Sequence, residues 1–183
     1  MIPLVLALGG YSESGKSSSA RYLSTCGFAR IKIAALYKRI YEQANTGLGF
    51  VAWSSWIDTE NPEWIGERFA DELRAEVQLR SADRCTIESL YGDTLARELK
   101  RHFGDRFKVV FIDLDRDTRL KRQMEREGLS TLDEARAMME PRDEMKRRWG
   151  VGRVRTLADI VLRNDGTVSD LHLKLDGLVA SYA

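Results

Sequence analysis

The stretch Gly10-Tyr-Ser-Glu-Ser-Gly15-Lys16-Ser17 constrains this chain more than any other, because it fits G-x-x-x-x-G-K-[ST] and lies between an apolar run and an amphipathic one. Its glycines let the backbone curl so that successive N–H groups face one anion, and the helix that follows adds its positive end. Lys16 would bring an ammonium to the β- and γ-phosphates of a nucleotide, and Ser17 a hydroxyl to Mg²⁺. Phosphate contacts are expected along Gly10, Ser12, Glu13, Ser14, Gly15, Lys16, Ser17 and Ser18. A strand that runs into a helix in this way opens a βα series, and hence a mostly parallel sheet covered by helices.

The rest of the chain keeps that alternation. Residues 3–9, 28–33, 85–89, 107–113 and 158–162 read as five short apolar strands. Residues 17–25, 62–80, 93–103, 117–127, 131–148 and 168–181 read as amphipathic helices, and another helix carries Leu36, Ile40 and Tyr41. Gly27, Gly104 and Gly128 act as stops, Pro62 as a first-turn start, and Asn164-Asp-Gly166 as a turn. Gly47 and Gly49 loosen the chain before residues 50–61, an unusual stretch that sets Trp53 and Trp56 among small polar residues.

With 183 residues, 43% hydrophobic and 31% charged, the chain has material for one cored domain over residues 1–183 and lacks the composition of a disordered protein. The apolar run at residues 3–8 is far shorter than the roughly 18 residues of a membrane span, and no basic segment precedes it as in a secretory signal. Cys26 and Cys85 are too widely spaced for a ligand pair, and His102 and His172 cannot fill a zinc site alone, so a cytoplasmic protein without structural metal is expected. Formal net charge is only +1, yet residues 97–155 hold 17 Lys/Arg against 12 Asp/Glu. Such a basic block is either a solvated helical face or an anion site.

Beyond the phosphate loop, Ile87-Glu88-Ser89, Val109 to Asp113 followed by Thr118 to Arg126, and Leu157 to Gly166 resemble the P-loop kinases of small molecules, the adenylate kinase and dephospho-CoA kinase group. The stretch from Arg142 and Asp143 through Trp149 to Gly152 is most similar to an archaeal set of dephospho-CoA-kinase-like proteins. The resemblance implies a P-loop NTPase fold, a three-layer α/β/α sandwich on a five-stranded parallel sheet in order 2-3-1-4-5. It also implies a helical lid at about residues 117–150 and an acceptor-binding region at 36–80.

Arg119, Arg122 and Arg126, three and four residues apart, share one helical face and can converge on a phosphoryl group. By resemblance they begin the lid, Arg142 and Arg148 enter from its far side, and Asn164 and Gly166 border the adenine of ATP. Glu88, ending an apolar strand, is the candidate to hold Mg²⁺ with Ser17 or to take a proton, whereas Asp113 and Asp115 read as helix caps. Relatives carry an aspartate just after the second strand that looks like the base for a hydroxyl acceptor; this chain has Ile33-Ala34-Ala35-Leu36. Either another acid, such as Glu88 or Asp58, takes that role, or the acceptor is itself a phosphate and needs no base. Lys38 and Arg39 are then candidates to hold an acceptor phosphate, and Trp53 and Trp56 to stack on its base, while Trp64 packs on its helix.

The expectation is an ATP- and Mg²⁺-dependent phosphotransferase acting on a small nucleotide-type acceptor, as monomer or homodimer. The alternatives are a hydroxyl kinase of dephospho-CoA or modified-nucleoside type, the latter possibly within DNA, and a nucleotide-binding regulator or slow NTPase with no acceptor.

Overall fold

The computed structural model describes residues 2–182. Its five-stranded sheet has the order β2-β3-β1-β4-β5 with every pairing parallel. The strands are β1 (Leu4–Gly9), β2 (Ala29–Lys32), β3 (Arg84–Leu90), β4 (Phe107–Asp113) and β5 (Ile160–Arg163). Helices α1 (Lys16–Thr25), α2 (Ile33–Ala44), α3 (Phe50–Glu60), α4 (Pro62–Leu79), α5 (Asp93–Phe103), α6 (Arg116–Glu127), α7 (Leu132–Trp149), α8 (Val151–Thr156) and α9 (Val168–Ala180) connect them and close the chain.

Every residue of β1 is buried, as a central parallel strand requires. Its side chains alternate between two cores. Val5 and Ala7 join the apolar faces of α2 to α5 and α8, while Leu4, Leu6 and Leu8 join Ala20 and Leu23 of α1 and Leu171, Leu175 and Leu178 of α9. Burying Leu6 or Leu8 contributes roughly 1.5–3 kcal/mol each. The result is the expected three-layer sandwich. Because β1 pairs with β3 on one side and β4 on the other, its carboxyl end is the switch point at which open parallel sheets form a ligand crevice.

Helices α6 and α7 stand apart on a small core of their own, Leu120, Ala135 and Met139. Asp115 caps α6 by accepting the Thr118 N–H at 2.9 Å, and Gly128 stops it in the left-handed conformation. A Thr131–Glu134 capping box starts α7 and Gly150 ends it. Asp113, unlike Asp115, caps no helix among the described residues; it pairs with Arg155 at 3.0 Å.

Local patterning missed two helices. Residues 50–61 largely form α3, and α8 turns on Val151 and Val154, both fully buried. The first explains a correction. Trp53 is 0% exposed, packed among Tyr37, Tyr41 and Phe50, so it is a core residue and no platform for a base. Trp64 is half-buried against the same core, as expected. No helix among the described residues is long and apolar enough to cross a membrane.

Candidate active site

The phosphate loop lies at the switch point, between β1 and α1. Two of its glycines are obligatory. Gly10 has φ 140° and a Cβ there would stand 2.5 Å from the Ile112 carbonyl; Gly15 has φ 104° and a Cβ would stand 2.3 Å from Asn164 Nδ2. That approach exists because the buried Asn164 donates to the Ser14 carbonyl at 2.8 Å, bracing the loop from the end of β5. Arg122 in turn donates to the carbonyls of Asn164 and Gly166, at 2.8 and 3.4 Å. Asn164 and Gly166 therefore tie α6 to the β5 turn, and Asn164 ties that turn to the phosphate loop.

Lys16, 6% exposed, turns its Nζ onto the Tyr11 carbonyl at 2.5 Å and lies 3.4 Å from Ser14 Oγ. Burial, reinforced by the neighbouring Lys146 ammonium, pulls it down to about 7. Such a site favours an anion, since a phosphate would restore the charge that burial removes. Ser17 is exposed on the adjoining cleft, and Ser18 accepts from Arg21 at 3.2 Å. Glu13 is held by Arg126 at 2.5 Å.

The three arginines of α6, Arg119, Arg122 and Arg126, do not converge as their spacing suggests. Arg119, 6% exposed, pairs with buried Asp143 and donates to the Ser12 carbonyl at 3.2 Å; its Nε has no partner among the described residues. Arg122 and Arg126 engage the β5 turn and Glu13 as above. Arg142 is exposed, because the face of α7 turned toward the loop carries Asp143 and Lys146 instead, one turn apart and both buried. Asp143 accepts the Ser12 N–H at 3.0 Å, and Lys146 donates to Ser12 Oγ at 2.5 Å. Neither stood out in sequence, where they sit inside a run of mixed charge.

Beside the loop opens a cleft of about 880 Å³ whose walls include Ser17, Tyr37, Asp58, Glu88, Tyr91 and Trp149. Glu88 lies on β3 opposite Leu8, with Oε1 accepting from Arg30 Nε and Nη2 at 2.9 and 2.6 Å. Its Oε2 is buried with no partner among the described residues, a carboxylate oxygen suited to a hard cation or its water shell. With the Ser17 hydroxyl on the same cleft, these residues fit Mg²⁺. Across the cleft, Asp58 of α3 accepts the Tyr37 hydroxyl at 2.6 Å, and burial pushes its carboxyl above the usual range. Tyr91 and Trp149 stack with centroids 5.9 Å apart.

The acceptor residues named from sequence lie elsewhere. Arg39 is clamped by Glu72 and Glu76 at 2.9 Å each, Lys38 is exposed beside Glu42, and Trp56 is 47% exposed off the cleft. Lys38 and Arg39 lie on the polar face of α2, whose apolar face carries Ile33, Leu36, Tyr37 and Ile40 into the core.

No protein-family model matches the chain. It is 30% identical over 105 residues to a UPF0200 protein of Methanoregula boonei, covering 57% of each chain. It is 24% identical over 187 residues to a UPF0200/UPF0201 protein of Archaeoglobus fulgidus, covering 98% of this chain and 56% of that one. The matches thus span little more than half the length of these two relatives. A dephospho-CoA kinase of Corynebacterium efficiens is 27% identical over 202 residues, covering 97% of this chain and 96% of its own. Among solved structures, TT1252 of Thermus thermophilus superposes with a TM-score of 0.61 at 21% identity, covering 100% of both chains. A shikimate kinase from Acinetobacter baumannii gives 0.54 at 16% identity, covering 98% of this chain and 94% of that one. The chain is thus similar along almost its whole length to a dephospho-CoA kinase, and its fold is a P-loop α/β sandwich on a five-stranded parallel sheet.

Proposed function

We propose that the protein is an ATP- and Mg²⁺-dependent kinase that moves the γ-phosphoryl of ATP to a hydroxyl of a small acceptor bound in the 880 Å³ cleft. The observation that carries this reading is the cleft itself, which joins Ser17 of the phosphate loop to Glu88 and Asp58. Backbone N–H groups of the loop and Lys16 grip the phosphates, and Ser17 and Glu88 hold the metal. Mg²⁺, when bound, neutralises charge on the phosphate oxygens. The acceptor oxygen bonds to the γ-phosphorus as its bond to the β–γ bridging oxygen breaks, ADP leaves, and the acceptor proton passes to Asp58. Asp58 thereby fills the role that Ala34 and Ala35 cannot. A carboxyl raised by burial is also a better proton acceptor than an ordinary surface aspartate.

A hydroxyl acceptor replaces the nucleotide phosphate as first choice because Lys38 and Arg39, the residues that favoured an acceptor phosphate, lie off the cleft. The similarity to a protein named dephospho-CoA kinase supports the same choice. The Tyr91–Trp149 stack favours a second reading, a nucleotide whose base lies on that wall. One assay separates them: incubation with ATP, Mg²⁺ and a panel of hydroxyl and nucleoside monophosphate acceptors, with ADP as readout. Acceptor-dependent ADP with hydroxyl compounds supports the first reading, and with monophosphates the second. One slow ADP rate regardless of additions would instead mark a regulator.

A further inference from the structure

The phosphate loop carries an arrangement that transfer to an acceptor does not by itself require. Lys16 and Lys146 lie on one aromatic ring, with their Nζ atoms 5.8 and 5.1 Å from the Tyr91 centroid, and both are buried, at 6% and 8% exposure. Two ammonium groups brought together out of water repel each other and lose hydration, so the fold bears a cost that an anion between them would offset. The groups facing the pair are Asp143 and Glu13, which attract, and Arg119 and Arg142, which add to the repulsion. Asp143 is already committed to Arg119 and to the Ser12 N–H, and Glu13 to Arg126. Among the described residues Lys146 donates only to the Ser12 hydroxyl, a neutral partner on the phosphate loop.

We propose that Lys146 is a second phosphate-binding lysine: α7 delivers its ammonium to the outer phosphates of the nucleotide beside Lys16. Asp143 is the positioning residue, since its bond to the Ser12 amide pins α7 against the loop one turn before Lys146. On nucleotide binding, Lys146 exchanges Ser12 Oγ for a phosphate oxygen. The inference rests on the reading of residues 10–17 as a nucleotide site.

The test is calorimetric titration with MgATP on wild type, Lys146→Met and Lys146→Arg. Lys146→Met should bind at least tenfold more weakly, while Lys146→Arg, which keeps the charge, should recover most of the affinity. MgATP affinity within twofold of wild type in Lys146→Met overturns the proposal. So does equal weakening in both variants, because that pattern marks packing. Wild type that binds no MgATP removes the nucleotide site itself and the kinase reading with it; binding intact but indifferent to Lys146 removes only this inference.

Discussion

The two sides of the crevice differ in how they would recognise what they bind. On the proposed nucleotide side the backbone would do the work: a loop with Gly10 and Gly15 in left-handed conformations, the N-terminus of α1, and a lysine at the loop's end. On the proposed acceptor side recognition would fall to side chains of α2, α3 and the ends of β3 and α7, none of which belongs to a continuous motif. Backbone sites demand residues at fixed spacing, because only glycine tolerates the required φ and close approach. A side-chain site needs only that some helix face be turned inward, and many sequences achieve that.

If this contrast holds, substitutions on the nucleotide side should end catalysis whatever the acceptor, while those on the acceptor side should discriminate among acceptors. Lys16→Ala is expected to give the largest effect, abolishing acceptor-dependent ADP formation while circular dichroism reports an intact fold; near-normal turnover by the folded variant would refute the site.

Next comes Asp58→Asn, expected to lower kcat for a hydroxyl acceptor by about 10²–10⁴-fold with little change in ATP binding. An unchanged kcat would shift the reading to a phosphate acceptor, which has no such proton to lose.

The pH dependence should be smaller. With Lys16 near 7 in the empty site and raised once phosphate sits beside it, affinity for MgATP should be flat below pH 7 and fall as pH rises above it. The slope should approach about tenfold per unit by pH 9, where the empty site has lost its proton and the filled one retains it. A flat profile from pH 6 to 9 would mean that Lys16 never discharges.

The smallest effect belongs to Arg39→Ala. Turnover should stay within about twofold of wild type, and thermal unfolding should register a loss on the order of 1 kcal/mol or less, since its two ion pairs are partly exposed. A rise in acceptor KM of tenfold or more would return Arg39 to the substrate site.

Lys16 and Trp53 show the limits of reading the chain. The role proposed for Lys16 follows from seven neighbouring residues whose spacing suits a loop that wraps an anion. Trp53 was equally conspicuous, but its surroundings are Tyr37, Tyr41 and Phe50 on two helices, and it lies in the core. Local patterning placed all five strands to within two residues at either end, since apolar runs bounded by turns depend on near neighbours. It overlooked α8, whose six residues offer less than two turns of periodicity.

The sequence by itself determined the five strands, the phosphate loop and most of the amphipathic helices, because each rests on contacts within a few residues. Only the tertiary structure decided which acids and cations meet at the crevice. Asp143 reaches Ser12 across 131 residues, and Arg30 reaches Glu88 across 58. Burial then set their chemistry: the same lysine that would be an ordinary charge on a surface helix becomes, at 6% exposure beside a second ammonium, a group that awaits an anion.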